Sequence, residues 1–312
     1  MFKKHVNTKA LTKMSALVEE KSVLHNVSIA SAVKQMHKGQ DQAYQGTFLD
    51  VDTGEPGNWA MITDGHGNDK CIAYLRSIPQ GELDKVISLP NPAETLFKMV
   101  NENVVLGFRE CSGATLNIVK VYSDRIVCIN MGDSQAAVYK NGELVFLTEF
   151  HDSSNETECE RLMKENPSVS FFPSKSCVVT TDGKMYQVDA QYVTHTSYIT
   201  LALTQALGHN GVTGCAPDTT TIPYGPEDTL HIVIGSDGFW DMVAENAPEE
   251  KLRFADMSSE ELLKFAIDRW LQTWDMYIDR DKPEFRTCSY SKNDCDDVGV
   301  VKIDIVPCFE SV

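Results

Sequence analysis

Short apolar runs separated by polar turns dominate the hydrophobic pattern of the chain. VSIASAV from Val27 and the stretch from Tyr44 to Val51 read as strands, DTGEPGN (52–58) reads as a turn, and Ala60, Met61 and Ile62 form the next apolar run. This hairpin-like order places Asp41 and Asp64 near each other across neighbouring strands. TLNIVKVY, RIVCINMG and AAVYKNGELVFL predict a β-meander opened by Ser112-Gly113-Ala114-Thr115, with Asn141-Gly142 as a hairpin signal. Strand character returns in TIPYGPEDTLHIVIG and again in VGVVKIDIV (298–306).

Helical signals fall between and after these runs. The stretch 69–87 predicts one or two short helices. Asn91-Pro92-x-Glu94 supplies an N-cap, a proline at the first helical position and an early carboxylate, and Leu96, Phe97, Val100, Val104, Val105 and Phe108 share one face of a helix predicted to end near Glu110. Ser258-x-x-Glu261 has the pattern of a capping box ahead of Leu262, Leu263, Ala266, Trp270, Leu271 and Trp274. Residues 151–200 are less regular, with a short helix expected in EFHDSSNETECERLMKE and a turn at TTDGK around Lys184; they read as a flap or insertion. TWDMYIDRDKPEFRTCSYSKN (273–293) reads as a loop. Residues 1–26 read as an N-terminal arm and 27–312 as a single domain. The fold class is α+β, a central antiparallel β-sandwich flanked by helices on both faces.

Composition narrows the function. A chain of 312 residues with 42% hydrophobic and 23% charged residues can bury a substantial core. Its net charge of −17 argues against a general nucleic-acid or membrane-surface binder, since phosphate backbones and anionic lipids attract basic patches. The nine cysteines are scattered, odd in number and without a C-x-x-C pair, which fits reduced thiols in the cytoplasm or nucleus. The first residues lack the apolar core of a signal peptide, and no run approaches a membrane span.

Candidate chemistry lies where the apolar runs stop. WAMITDGHGN (59–68) ends its strand at Asp64 and continues through Gly65, His66 and Gly67. Asp-Gly is also a common turn dipeptide, so this stretch alone fits a turn as well as a cation seat. The device recurs, however. HIVIGSDGFWD ends in Asp237-Gly238 with Asp241 beyond, RIVCINMGDS ends in Asp133, and Asp296-Asp297 precedes the last strand. Strands sharing a sandwich would bring these carboxylates together, and clustered like charges require neutralisation by protons or cations. Oxygen-only ligands suit Mg²⁺ or Mn²⁺ rather than zinc.

Asp41 after Gln40, DGHG (64–67), SGAT (112–115), MGDSQAAVY (131–139), LTQALG (203–208), SDGFWD (236–241) and DDVGVV (296–301) together resemble, in order, the motifs of the protein phosphatase 2C (PPM) family of metal-dependent serine/threonine phosphatases. The resemblance implies a PPM-type sandwich with two Mn²⁺ or Mg²⁺ ions and a third, weaker site. It implies Asp64, Asp237 and Asp296 as carboxylate ligands, the Gly65 carbonyl as a ligand of the second metal, and Asp133 and Asp241 at the third site. Asp41 matches the acidic residue that holds metal-bound water, and His66 matches the general acid for the leaving alkoxide. Four positions depart from the family pattern. Met36 stands where an arginine usually binds substrate phosphate, Gln40 where many members have Glu, His209 where an Asp is typical, and Asp297 where Asn is more usual. Lys34, His37 and Lys38 are the nearest cations able to replace the missing arginine. The expected function is hydrolysis of phosphoserine and phosphothreonine in proteins, with phosphoprotein partners, no nucleic acid or membrane, and a monomeric state. The alternatives are a pseudophosphatase acting as a binding or scaffold protein, and hydrolysis of another phosphoester such as a nucleotide.

Overall fold

The computed structural model describes residues 24–107, 109–195 and 199–308. Along the chain, β1 (Leu24–Lys34) is followed by the hairpin β2 (Gln42–Leu49) and β3 (Pro56–Thr63), then by the short β4 (Gly65–Gly67). Three helices come next, α1 (Lys70–Ser77), α2 (Gln80–Ile87) and α3 (Pro92–Asn103). A run of strands follows: β5 (Ser112–Ala114), β6 (Leu116–Val121), β7 (Arg125–Met131), β8 (Gln135–Lys140) and β9 (Glu143–Leu147). Helix α4 (Glu156–Glu165) leads to β10 (Val169–Val179), β11 (Lys184–His195), β12 (Ile199–Leu201), β13 (Leu207–Gly208), β14 (Asp218–Pro223) and β15 (Leu230–Gly235). The described residues end with α5 (Asp237–Trp240), α6 (Pro248–Arg253), α7 (Ser259–Trp270), β16 (Thr273–Tyr277), β17 (Phe285–Ser289) and β18 (Val298–Cys308).

Two five-stranded antiparallel sheets, ordered β1-β18-β15-β8-β9 and β14-β7-β6-β3-β2, face each other. The inner strands β6, β15 and β18 read as nearly continuous apolar runs because both of their faces are covered, whereas the edge strands β2 and β14 are mostly half-buried or exposed. In β3, Ala60 and Ile62 point into the sandwich while Trp59 and Met61 meet α1, α2 and α3. In β18, Val301, Ile303 and Ile305 point inward while Val298 and Val300 meet Phe239, Leu262 and Trp270 of α5 and α7. Helices therefore cover both outer faces, as expected. A third sheet, β10-β11-β16-β17 with β12 against β11, extends from this body.

Several boundaries differ from the sequence expectation. β1 begins at Leu24, so residues 24–26 belong to a strand paired with β18 rather than to an arm; residues 1–23 lie outside the described residues. Helix α3 stops at Asn103 instead of near Glu110. Asn101 and Asn103 are weak helix formers, Val104 turns extended (φ −97°, ψ 100°) to bury its side chain, and Val105 is left 80% exposed. Phe108, placed on the same helical face, lies outside the described residues. The capping box of α7 is present, with Ser258 and Glu261 each bonding the other's backbone N–H. The helix nevertheless ends at Trp270: Leu271 is exposed and Trp274 is buried in β16. The stretch 273–293 is thus partly sheet, because Trp274 and Met276 alternate inward with polar neighbours facing out. The meander is also divided, with β6 and β7 in one sheet and β8 and β9 in the other. The chain crosses between sheets at Gly132-Asp133-Ser134, and Gly132 makes the crossing with φ 109°.

Candidate metal centre

The sheets bring the strand-end carboxylates to one end of the sandwich. Gln42 pairs with Thr63 at the last register position of the β2–β3 hairpin, which sets Asp41 and Asp64 side by side just beyond it. Asp133 arrives at the crossing between sheets. Asp237 opens α5 directly after β15, and Asp241, one helical turn later, is exposed. Asp296 precedes β18, whose pairing with both β1 and β15 fixes its position. One oxygen each of Asp64, Asp133 and Asp237 lie within 4.8 Å of one another. Gly65 and His66 lie in β4, paired with Ala114 and Gly113 of β5.

Hydroxyl groups hold this arrangement. Thr115 Oγ1 accepts a hydrogen bond from the Asp64 N–H at 3.0 Å and meets Ser134 Oγ at 2.7 Å, so SGAT and MGDS brace the residue between them. Ser236 Oγ donates to Asp41 Oδ2 at 2.6 Å and accepts from the Gly299 N–H at 3.0 Å. His151, buried behind the crossing, accepts from the Gly132 N–H through Nδ1 at 3.2 Å and contacts Asp218 through Nε2 at 3.0 Å. Asp297 does not join the cluster. It is buried and accepts from the backbone N–H groups of Met36 (2.6 Å) and Gln40 (2.7 Å), stapling the loop between β1 and β2 to the start of β18.

Of the three candidate phosphate cations, Lys38 reaches the centre. Its Nζ lies 3.0 and 3.1 Å from the two oxygens of Asp296. Burial opposes its charge, but Asp296, Asp237 and Asp64 outweigh that and hold the ammonium protonated. Lys34 and His37 are exposed, with no hydrogen bond or ion pair to these carboxylates among the described residues. The Met36 side chain packs against the apolar cluster under α5 and α7.

Burial and mutual repulsion set the electrostatics of the centre. Burial, reinforced by Asp237, drives the carboxyls of Asp64 and Asp133 well above the usual range, and the same causes raise Asp296. Asp41 is pushed up to about 8, chiefly by burial. Burial lowers the His66 imidazole to about 4. One oxygen of each of Asp41, Asp133 and Asp237, together with His66 Nε2, is buried without a hydrogen-bond partner. Buried polar atoms are normally satisfied, so converging carboxylate oxygens without a partner fit a cation site. An all-oxygen donor set matches Mg²⁺ or Mn²⁺.

Sequence reasoning found the carboxylates but gave no role to Thr115, Ser134, Ser236 or His151. The first three stand inside the quoted motifs, whereas His151 carries no local signal at all.

Comparisons with known proteins bear on the same segments. The family model for Protein phosphatase 2C matches residues 30–250. Human Protein phosphatase 1B is 27% identical over 169 residues, covering 51% of this chain and 28% of that protein. Rice "Probable protein phosphatase 2C 42" is 25% identical over 175 residues, covering 50% and 44%. The chain thus spans less than half the length of these relatives. Among solved structures, a serine-threonine phosphatase 2C from Toxoplasma gondii superposes with a TM-score of 0.53 at 12% identity, covering 90% of this chain and 95% of that one. The catalytic domain of the phosphatase PstP in complex with two manganese ions gives 0.51 at 16% identity, covering 91% and 100%. At such identities the structures speak to the fold, the α+β sandwich with flanking helices seen here. With the family model matching well over half of the sequence and the family's motifs converging at one end of the sandwich, the chain belongs to the protein phosphatase 2C family.

Proposed function

We propose that this chain hydrolyses phosphoserine and phosphothreonine in proteins with two Mn²⁺ or Mg²⁺ ions seated in the carboxylate cluster. The observation that carries the reading is the convergence of Asp64, Asp133 and Asp237 oxygens within 4.8 Å, two of these residues with orphaned oxygens. Asp64, Asp237, Asp296 and the Gly65 carbonyl would hold the two ions, and Asp133 and Asp241 a third. Bound there, divalent cations supply Lewis acidity toward phosphate oxygens and make a nucleophile of water at neutral pH.

The remaining steps belong to side chains. Asp41, one oxygen fixed by Ser236 and the other without a partner, holds and orients a water. His66 presents an unpartnered Nε2 toward the departing serine or threonine oxygen; burial favours its neutral ring, and the phosphate dianion bound beside it would raise its pKa so that it carries the proton it delivers. Lys38 exchanges Asp296 for a phosphate oxygen and replaces the arginine absent at Met36. The same reading takes residues 27–312 as one phosphatase domain with a flap around 151–200, acting as a monomer on phosphoproteins inside the cell. No helix among the described residues is long and apolar enough to cross a membrane, and all nine cysteines are free, as a reducing compartment would keep them.

The test is turnover of a phosphothreonine peptide and of p-nitrophenyl phosphate with and without metal. Activity with Mn²⁺ or Mg²⁺ that is lost on chelation is expected. Full activity after exhaustive chelation refutes the metal-based reading, and calorimetric metal binding without turnover of either ester favours a binding protein on the same fold.

A further inference from the structure

Two imidazoles are pressed together beside the metal centre. In the small sheet β13-β5-β4, Gly208 and His66 both pair with Gly113, so His209, the next residue after β13, arrives over the strand carrying His66. The ring centroids lie 4.6 Å apart with the planes inclined at 37°. Nothing about His209 is relaxed. Its side chain is fully buried and its backbone is left-handed (φ 49°), a conformation that a non-glycine residue keeps only when its surroundings over-determine it. Gly113 accommodates the ring, for a Cβ there would overlap His209 Nε2. On the other side, His209 Nδ1 meets Cys111 Sγ at 3.2 Å, which sets the rotation of the ring. Nε2 of each imidazole is buried without a partner.

We propose that His209 is a positioning residue for His66: its ring, oriented by Cys111, holds the His66 imidazole so that Nε2 stays free for the leaving-group oxygen. Where the family carries an acidic residue at this position, this chain sets a second aromatic ring, tilted against the first. A carboxylate would bond or charge its neighbour; an uncharged ring orients His66 by contact alone. Burial, with His66 beside it, keeps the His209 ring neutral, and burial keeps the Cys111 thiol neutral, in line with that role. The proposal rests on the reading of His66 as the proton donor.

The test uses His209→Asn and Cys111→Ala in the full chain. Asparagine tolerates the left-handed backbone and retains a polar atom for Cys111, but removes the ring. A threonine alkoxide needs a proton to depart whereas p-nitrophenolate does not, so a misaligned donor affects the peptide selectively. Since general acid catalysis is worth about 10²–10⁴-fold, kcat for the phosphothreonine peptide should fall roughly ten-fold or more beyond any fall for p-nitrophenyl phosphate, with KM little changed. Cys111→Ala should shift kcat in the same sense by less. In parallel, ¹⁵N imidazole resonances of His66 in the chelated protein should move in both variants. Equal loss on both substrates, or His66 resonances unmoved, overturns the proposal. If the wild type turns over neither ester, the phosphatase reading fails while the resonances still decide the positioning role. If His209→Asn does not fold, Cys111→Ala carries both readouts.

Discussion

Replacing Lys38 by methionine separates two effects that the structure superimposes on one ammonium group. Lys38 Nζ lies 3.0 Å from Asp296 Oδ1, with side chains 47% and 23% exposed. A pair this open to solvent contributes about 0.2–1 kcal/mol. A charged hydrogen bond from the same ammonium to a phosphate oxygen contributes about 1.5–3 kcal/mol. Exchanging the first for the second leaves a net of roughly 0.5–3 kcal/mol in favour of substrate, or about two- to hundred-fold in affinity. Lys38→Met should therefore raise KM for a phosphothreonine peptide by a factor in that range. It should also release Asp296 for cation binding and tighten Mn²⁺ by up to about five-fold. Steady-state kinetics at saturating Mn²⁺ reads the first effect and calorimetric titration the second. An unchanged KM would show that the ammonium never meets phosphate, and weaker Mn²⁺ binding would show that it does not compete for Asp296. Met36→Arg is the complementary arm. It should lower KM with metal affinity unchanged, provided that the guanidinium leaves the apolar cluster where Met36 packs.

Asp64→Asn and Asp237→Asn should each abolish nearly all turnover without lowering the melting temperature of the chelated protein, because removing a carboxylate from a repulsive buried cluster relieves it; near-parental activity in either would refute the ligand assignment. Asp297→Asn leaves one acceptor oxygen for a buried and a partly buried N–H group and should cost about 1–3 kcal/mol in urea denaturation; unchanged stability would mean that the staple is dispensable. Asp50→Asn tests a carboxylate far from the centre. Burial pushes Asp50 up, but hydrogen bonds from Tyr122, Thr53 and Asp52 outweigh it and take its pKa down to about 2. A depressed carboxylate stabilises the fold above its unfolded pKa, near 4, and loses that contribution as pH falls toward 2. The variant should accordingly melt below wild type at pH 7, with the gap closing only below about pH 4; a gap independent of pH would point to packing instead.

The sandwich was legible because its inner strands are buried on both faces. Runs such as Trp59–Ile62 of β3 and those of β15 and β18 are mostly apolar, and the turns between strands carry glycine, proline or aspartate. What escaped was pairing. β7 and β8 look like successive strands of one meander, yet the chain changes sheets between them, and a period-two pattern does not specify which neighbour a strand takes. β16 escaped for a different reason. Its inward residues Trp274 and Met276 follow α7 closely enough for Trp274 to continue the helical face by spacing alone.

At the centre, the carboxylates were legible because each interrupts an apolar strand end, where a charge is costly without a purpose. The residues that orient them were not, since a hydroxyl or imidazole bonded to a distant backbone N–H leaves no periodicity behind. Asp297 shows the difference most clearly. Next to Asp296 in sequence, it is an unexpected acid whose place in the pattern predicts at most another ligand. The structure gives it two short bonds to the N–H groups of Met36 and Gln40, residues that the sequence separates from it by more than 250 positions. The loop it holds carries Lys38 to Asp296. An acid that departs from the family pattern thus anchors the segment bearing Lys38, and Asp297→Asn should loosen Lys38 as well as the fold, raising KM in the direction of Lys38→Met. If KM stays at the wild-type value while stability falls, the staple serves the fold alone and Lys38 finds its place without it.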